Sequence, residues 1–261
     1  MLVAVLFYNS HSQAMAQPIG DLPRPAYYMA RELYRAGNIQ EAASGFESVL
    51  NNAARTSTDG WVDSIPPLVM LAECNYQQGN LSRALEYYNA ALAIVLKFPG
   101  WLDQFSLADM PLAVSDPAAK GINWFRLSRP SKSLAVPDGV QMAIDITQAR
   151  ADDLGNLIAP VLLTSRLDSS EVLKSLGVAL MRRWQILGPL ANHSSLTNPT
   201  IQYFSQNLKQ PHLWAQTSWT ALRGLAMLAR DEGLAVQQLR SATLIRDQFD
   251  YFLSPLCLIA Q

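Results

Sequence analysis

The chain has 261 residues, 49% of them apolar and only 16% charged, with a net charge of −1. That balance supplies a sizeable core and excludes a disordered chain. It also excludes a global electrostatic pull toward nucleic acid or an anionic membrane.

Met1 to Tyr8 is a short apolar run, too short to span a bilayer as a helix. Ala14-Met15-Ala16 puts small residues at −3 and −1 before Gln17, which fits a signal-peptidase site, although a basic n-region is missing. Residues 1–24 therefore read as a clipped or atypical export signal and a Pro-rich linker (Pro18, Pro23, Pro25). The expected location is the periplasm or cell envelope. If the run is only an apolar tail, the chain is cytoplasmic.

A first helix is expected over Pro25–Ala36, with Tyr28, Met29, Leu33 and Tyr34 at helical spacing. Gly37-Asn38 stops it, since glycine tolerates the left-handed backbone that closes a helix. A second runs over Ile39–Asn52 with Ala42, Phe46, Val49 and Leu50 on one face. A longer polar loop, including Trp61, follows to Asp63. A third helix covers Ser64–Gln78, its Pro66 and Pro67 suited to the first turn. Gly79-Asn80 stops it, and a fourth spans Leu81–Lys97 before Pro99-Gly100.

Gly79-Asn80 stands 42 residues after Gly37-Asn38, and the segments that follow repeat one another: Ala42 with Phe46 and Val49, Ala84 with Tyr88 and Ala91. Self-similarity at this period marks stacked helical hairpins. These four helices resemble two tetratricopeptide repeats. Met29, Ala30, Gly37, Ala42, Phe46 and Val49 match the first, and Leu71, Ala72, Gly79, Ala84, Tyr88 and Ala91 the second. The longer repeat is absorbed by the 51–63 loop, and the usual Trp near each repeat start is missing. The whole pattern also resembles large repeat-containing exported proteins of planctomycete-type bacteria. The resemblance implies an all-α fold, a right-handed α-solenoid, whose concave face holds extended peptides or partner helices.

Residues 101–139 change character and read as an irregular insertion, in part a β-hairpin braced on the helices. Helices are expected again over Gln141–Ala159, from Met142, Ile144, Ile146 and Leu154, and over Ser169–Leu187, where a Ser-x-Glu start serves as the cap. Gly188-Pro189 stops the latter. A polar loop over Ala191–Thr200 and a short helix over Thr200–Leu208 follow. A third repeat starts near Pro211: Trp214–Arg230 is helical, with Trp219, Leu222, Gly224 and Met227, and Ala235, Leu239 and Ala242 mark its second helix. Phe249–Ala260 reads as the opening of a further hairpin that the chain leaves unfinished. Residues 140–261 are thus expected to be further helical hairpins.

Motifs for chemistry are absent from the sequence. His11, His193 and His212 show no ligand spacing, Cys74 and Cys257 read as free thiols, and no phosphate loop or nucleophile elbow appears. Asp152-Asp153 and Asp231-Glu232 are adjacent and do not face one another on a helix. No catalytic residue, metal or cofactor is expected. The partner is expected to be a protein or peptide on the concave face, without nucleic acid and without a membrane span.

The residues expected to touch that partner are Tyr34, Asn38, Tyr76 and Asn80, the two asparagines doubling as turn-formers. A second reading is a ligand-binding or enzymatic role built on the insertion and the C-terminal helices, with Trp124, Arg126 and Arg129 recognising an anionic or sugar ligand. Arg182-Arg183-Trp184 is expected to pack its tryptophan and leave both arginines in solvent.

Overall fold

The computed structural model describes residues 22–53, 55–56, 59–104, 123–124, 127–128, 140–146, 161–209, 213–244, 257 and 260. The chain is predominantly helical, with eight α-helices among these residues.

Helices α1 (Pro25–Arg35) and α2 (Ile39–Asn51) form the first hairpin. Gly37 turns left-handed at φ 85° and ends α1. Its N–H donates to the Tyr34 carbonyl at 3.1 Å, and the Asn38 N–H donates to Leu33 at 3.0 Å. Those two bonds satisfy carbonyls that α1 would otherwise leave open. The Asn38 carbonyl then accepts from Ala42 at 2.9 Å and launches α2. The same couplet joins α3 (Ile65–Gln77) to α4 (Leu81–Lys97). There Gly79 has φ 79°, and the N–H groups of Gly79 and Asn80 donate to Tyr76 and Asn75 at 3.0 and 2.9 Å. A Cβ on either glycine would meet nothing within 4 Å, so the backbone angle alone demands glycine.

Small residues let the paired helices close. A Cβ on Gly45 would lie 2.8 Å from that of Ala30, and Ala42 and Phe46 fill the rest of the seam, both fully buried. In the second hairpin Ala72, Ala84, Tyr88 and Ala91 do the same, each at 0% exposure. Between the hairpins, β1 (Arg55–Thr56) pairs antiparallel with β2 (Asp59–Gly60). Trp61 is buried and opens a 3-10 turn over Val62–Ser64.

After a second 3-10 turn at Leu102–Gln104, β3 (Asn123–Trp124) pairs with β4 (Leu127–Ser128). Trp101, just before the turn, is buried, and the remaining residues of 101–139 lie outside the described set.

The helix expected over 141–159 is instead a strand where it is described: β5 (Val140–Ile146) pairs antiparallel with β6 (Val161–Leu167), Val140 opposite Leu167 and Ile146 opposite Val161. Val140, Met142, Ile144 and Ile146 recur every second residue, the period of a strand, and three of the four are β-branched. Counting them as helical mistook that period. Residues 147–160 lie outside the described set. Leu22 bridges to Leu167, and Asp168 donates its N–H to the Leu22 carbonyl at 2.7 Å.

Helix α5 covers Ser169–Leu187, as expected, but its cap is Asp168: Oδ1 accepts the Glu171 N–H at 2.9 Å, and Ser169 plays no such part. The segment expected as a polar loop is mostly helical, a 3-10 stretch over Gly188–His193 and then α6 (Thr197–Ser205), which starts three residues early. Pro199 sits in the first turn of α6, where its missing N–H breaks no bond. Helices α7 (Leu213–Met227) and α8 (Glu232–Leu244) form the last described hairpin. Gly224 lets them cross, since a Cβ there would lie 2.8 Å from Leu239 Cγ.

The helices pack in succession. α2 lies on α3, α5 covers both α3 and α4, and α7 lies on α5 and α6. One core runs from Leu22 to Ala260, and a smaller one, around Tyr27, Phe46 and Leu71, serves the first hairpin. Residues 1–21 and, apart from buried Cys257 and Ala260, 249–261 lie outside the described residues, and so do the signal and the last hairpin expected there. No described helix is long and apolar enough to cross a membrane.

Candidate functional site

Helices α1 and α5 both pack on α3, and the three line one groove of about 200 Å³. Helix α1 presents Arg31, Tyr34 and Arg35, and α3 presents Val69, Met70 and Glu73. Helix α5 adds Glu171, Lys174, Ser175 and Val178, spaced i, i+3, i+4 and i+7 so that they share one face. The floor is apolar at Val69, Met70 and Val178, and the polar groups stand around it.

Two buried carboxylates sit in this groove, and each is held the same way. Glu171 Oε1 accepts the Tyr27 hydroxyl at 2.6 Å, and its Oε2 lies 2.9 Å from Arg31 Nη1. Glu73 Oε1 accepts the Tyr88 hydroxyl, and Arg182 donates to both carboxylate oxygens, from Nε at 2.9 Å and Nη2 at 3.1 Å. Burial, then the neighbouring carboxylate, pushes the Tyr27 and Tyr88 phenols well above their usual range, so both keep the proton they donate. The hydrogen bond to Glu73 outweighs desolvation and raises Arg182. Burial opposes the charge on Arg31, but Glu171 more than offsets it. The two-point pairing of Arg182 with Glu73 is geometrically selective and fixes α5 against α3, whereas Arg31 reaches Glu171 through Nη1. Tyr28 adds a third tie between α1 and α5, its hydroxyl donating to Asp168 at 2.8 Å.

With Glu32 counted beside Glu73 and Glu171, the four cations Arg31, Arg35, Lys174 and Arg182 leave the groove and its rim one positive charge in surplus. Arg35 is 55% exposed and pairs with Glu32 on its own helix. Lys174 is 44% exposed and stands 3.9 Å from Glu171.

Of the residues singled out in the sequence, Tyr34 lines the groove, and Gln77 Nε2 reaches its hydroxyl at 3.5 Å. Tyr76 is not among the residues that line the groove; its ring lies 4.1 Å from the guanidinium of Arg182, which pairs with Glu73. Asn38 and Asn80 are exposed at the hairpin turns, away from the groove lining, and their side chains cap nothing. Trp124 is described only as backbone in β3, and Arg126 and Arg129 lie outside the described residues.

The solvated reading of Arg182 and Arg183 is corrected. Arg182 pairs with Glu73, and Arg183 is 5% exposed, donating to Asn89 Oδ1 at 2.7 Å and Ser194 Oγ at 2.8 Å. Burial lowers its pKa. Glu73, Glu171 and Lys174 were not legible as site residues. The signal available was the α5 face itself, where Glu171, Lys174 and Arg182 interrupt a helix that is otherwise mostly apolar.

Cys74 and Cys257 are buried free thiols, pushed up to about 11 and about 12 by burial. Neither is a thiolate near neutral pH, which is the form that acts as a nucleophile or metal ligand. No group of three or more His, Cys, Asp or Glu suited to a metal occurs among the described residues.

Comparison of the chain with family models, with curated proteins and with solved structures finds no match.

Proposed function

We propose that the chain is a non-catalytic interaction module of the tetratricopeptide type, a right-handed stack of helical hairpins that holds a segment of a protein partner in the α1/α3/α5 groove. One observation carries the reading: an apolar floor of Val69, Met70 and Val178 is ringed by polar groups whose two carboxylates are already neutralised from within. Such a groove offers burial to an apolar anchor and attraction to acidic neighbours, through Arg35 and Lys174. The three hairpins closed over small residues, Ala30 on Gly45, Ala72 with Ala84, and Gly224 on Leu239, support the repeat assignment. An exported chain fits the Ala14-Met15-Ala16 pattern. The reading in which the 101–139 insertion recognises a ligand has no described side chain in its favour.

The test is co-purification of the wild-type chain and Met70→Arg from the native cell, with partners identified by mass. Met70 is half-buried on the groove floor, so Met70→Arg fills the site with charge while α3 keeps its buried face. A partner recovered in fixed ratio with wild type and lost from Met70→Arg at unchanged melting temperature is the expected result. A partner that both retain equally refutes the groove.

A further inference from the structure

A second cleft, of about 310 Å³, opens between the end of α6 and α7, on elements that contribute nothing to the groove. Its size is at the lower end of ligand-binding pockets and suits one or two sugar rings rather than a protein segment. Three carboxamides face it, Gln206, Asn207 and Gln216, all exposed and without side-chain hydrogen bonds among the described residues. Arg223 stands at one wall, half-buried. Gln238 Oε1 accepts from its Nε and Nη2 and fixes the plane of the guanidinium. Nη1 makes no hydrogen bond to Gln238, and no carboxylate lines the cleft among the described residues.

The loop that carries the amides is tied at both ends. Trp219 Nε1 donates to the Gln206 carbonyl at 2.9 Å, and the Lys209 N–H donates to Asp103 Oδ1 at 2.9 Å. The cleft is therefore held open before anything binds, which lowers the ordering cost of binding.

We propose that this cleft binds an acidic saccharide, Arg223 taking the carboxylate and the three carboxamides reading the ring hydroxyls. A carboxamide both donates and accepts, as a sugar hydroxyl does, so three of them match a ring of hydroxyls better than a purely anionic or apolar ligand. One guanidinium suits one carboxylate. A phosphoryl group recruits several cations or a helix N-terminus, and among the described residues neither lines this cleft. A nucleobase needs an open aromatic face, whereas Trp219 is 8% exposed. The proposal stands apart from the groove, and either can fail without the other.

Calorimetric titration of the full chain with D-glucuronate and D-galacturonate tests it, with glucose, galactose, acetate and inorganic phosphate as controls. At least one uronate is expected to bind saturably, with the matching neutral sugar weaker by about tenfold and acetate not saturating, as a charge-assisted pair plus amide contacts requires. Arg223→Gln is expected to weaken the uronate by about tenfold and Gln216→Ala, at an exposed site that leaves the fold alone, by about fivefold. If Arg223→Gln melts early, Arg223→Lys replaces it and is expected to bind the uronate less tightly than wild type. The proposal is overturned if neither uronate saturates, if acetate, phosphate or the neutral sugar binds as tightly as the uronate, or if the variants bind like wild type.

Discussion

The first two hairpins and the last make the same turn with different chemistry. α1–α2 and α3–α4 close through a left-handed glycine, Gly37 or Gly79, followed by asparagine. α7–α8 has no glycine in its turn. The N–H groups of Arg230 and Asp231 both donate to the Met227 carbonyl at 2.9 Å, and Asp231 Oδ1 accepts the Leu234 N–H at 3.0 Å. In the first two hairpins a backbone angle ends one helix, and in the last a side chain starts the next. Hairpin geometry is thus set by the packed seam, which all three share, and the turn only has to satisfy the open backbone groups. That is why the sequence announces two repeats loudly and the third only faintly.

If the seam dominates, variants inside it have the largest effects in both regions. Phe46→Ala is expected to cost about 3–5 kcal/mol and Leu239→Ala about 2–5 kcal/mol, read as urea-unfolding free energies. A cheap Leu239→Ala would break the equivalence of the hairpins.

The clamps come next. Tyr88→Phe leaves Glu73 without its phenolic donor and is expected to cost about 1.5–3 kcal/mol near neutral pH. Tyr27 and Tyr88 both hold their protons above the ordinary value of 10.0. The folded chain therefore binds protons that the unfolded chain has lost, so their stabilisation is complete below about pH 10 and fades as pH rises further. Unfolding midpoints at about pH 8 and about pH 10.5 should diverge in wild type and diverge less in Tyr27→Phe/Tyr88→Phe.

The turns themselves are smaller. Gly37→Ala and Gly79→Ala should each cost about 1 kcal/mol, from the left-handed backbone that alanine resists. Asp231→Ala should cost about 1 kcal/mol by losing the cap, and Asp231→Gly only a few tenths. Equal losses for Ala and Gly at 231 would show that the cap is not what matters there. Least of all, Glu32→Gln, in an exposed pair with Arg35, should change stability by less than about 0.5 kcal/mol.

The N-terminal helices were legible because their signals are local: Gly-Asn couplets, alanines at the crossings, prolines at the start of α3. The β5 strand was missed because a four-residue apolar alternation suits a strand and was counted toward a helix. The site was half legible. Tyr34 is expected at a partner surface, and its side chain lines the α1/α3/α5 groove. Glu73 and Arg182 are 109 positions apart and meet only because α5 returns to cover α3. No spacing rule reaches across that distance. Asn38 and Asn80, expected both as partner contacts and as turn-formers, sit exposed at the hairpin turns.

The groove and the turns can be separated in one measurement. A photo-crosslinking residue at position 70, on the groove floor, is compared with one at position 38, on the first hairpin turn, in the native cell. The account predicts a discrete partner adduct from position 70 and none from position 38. Adducts from position 38 alone would contradict it and return the asparagine turns to the partner surface.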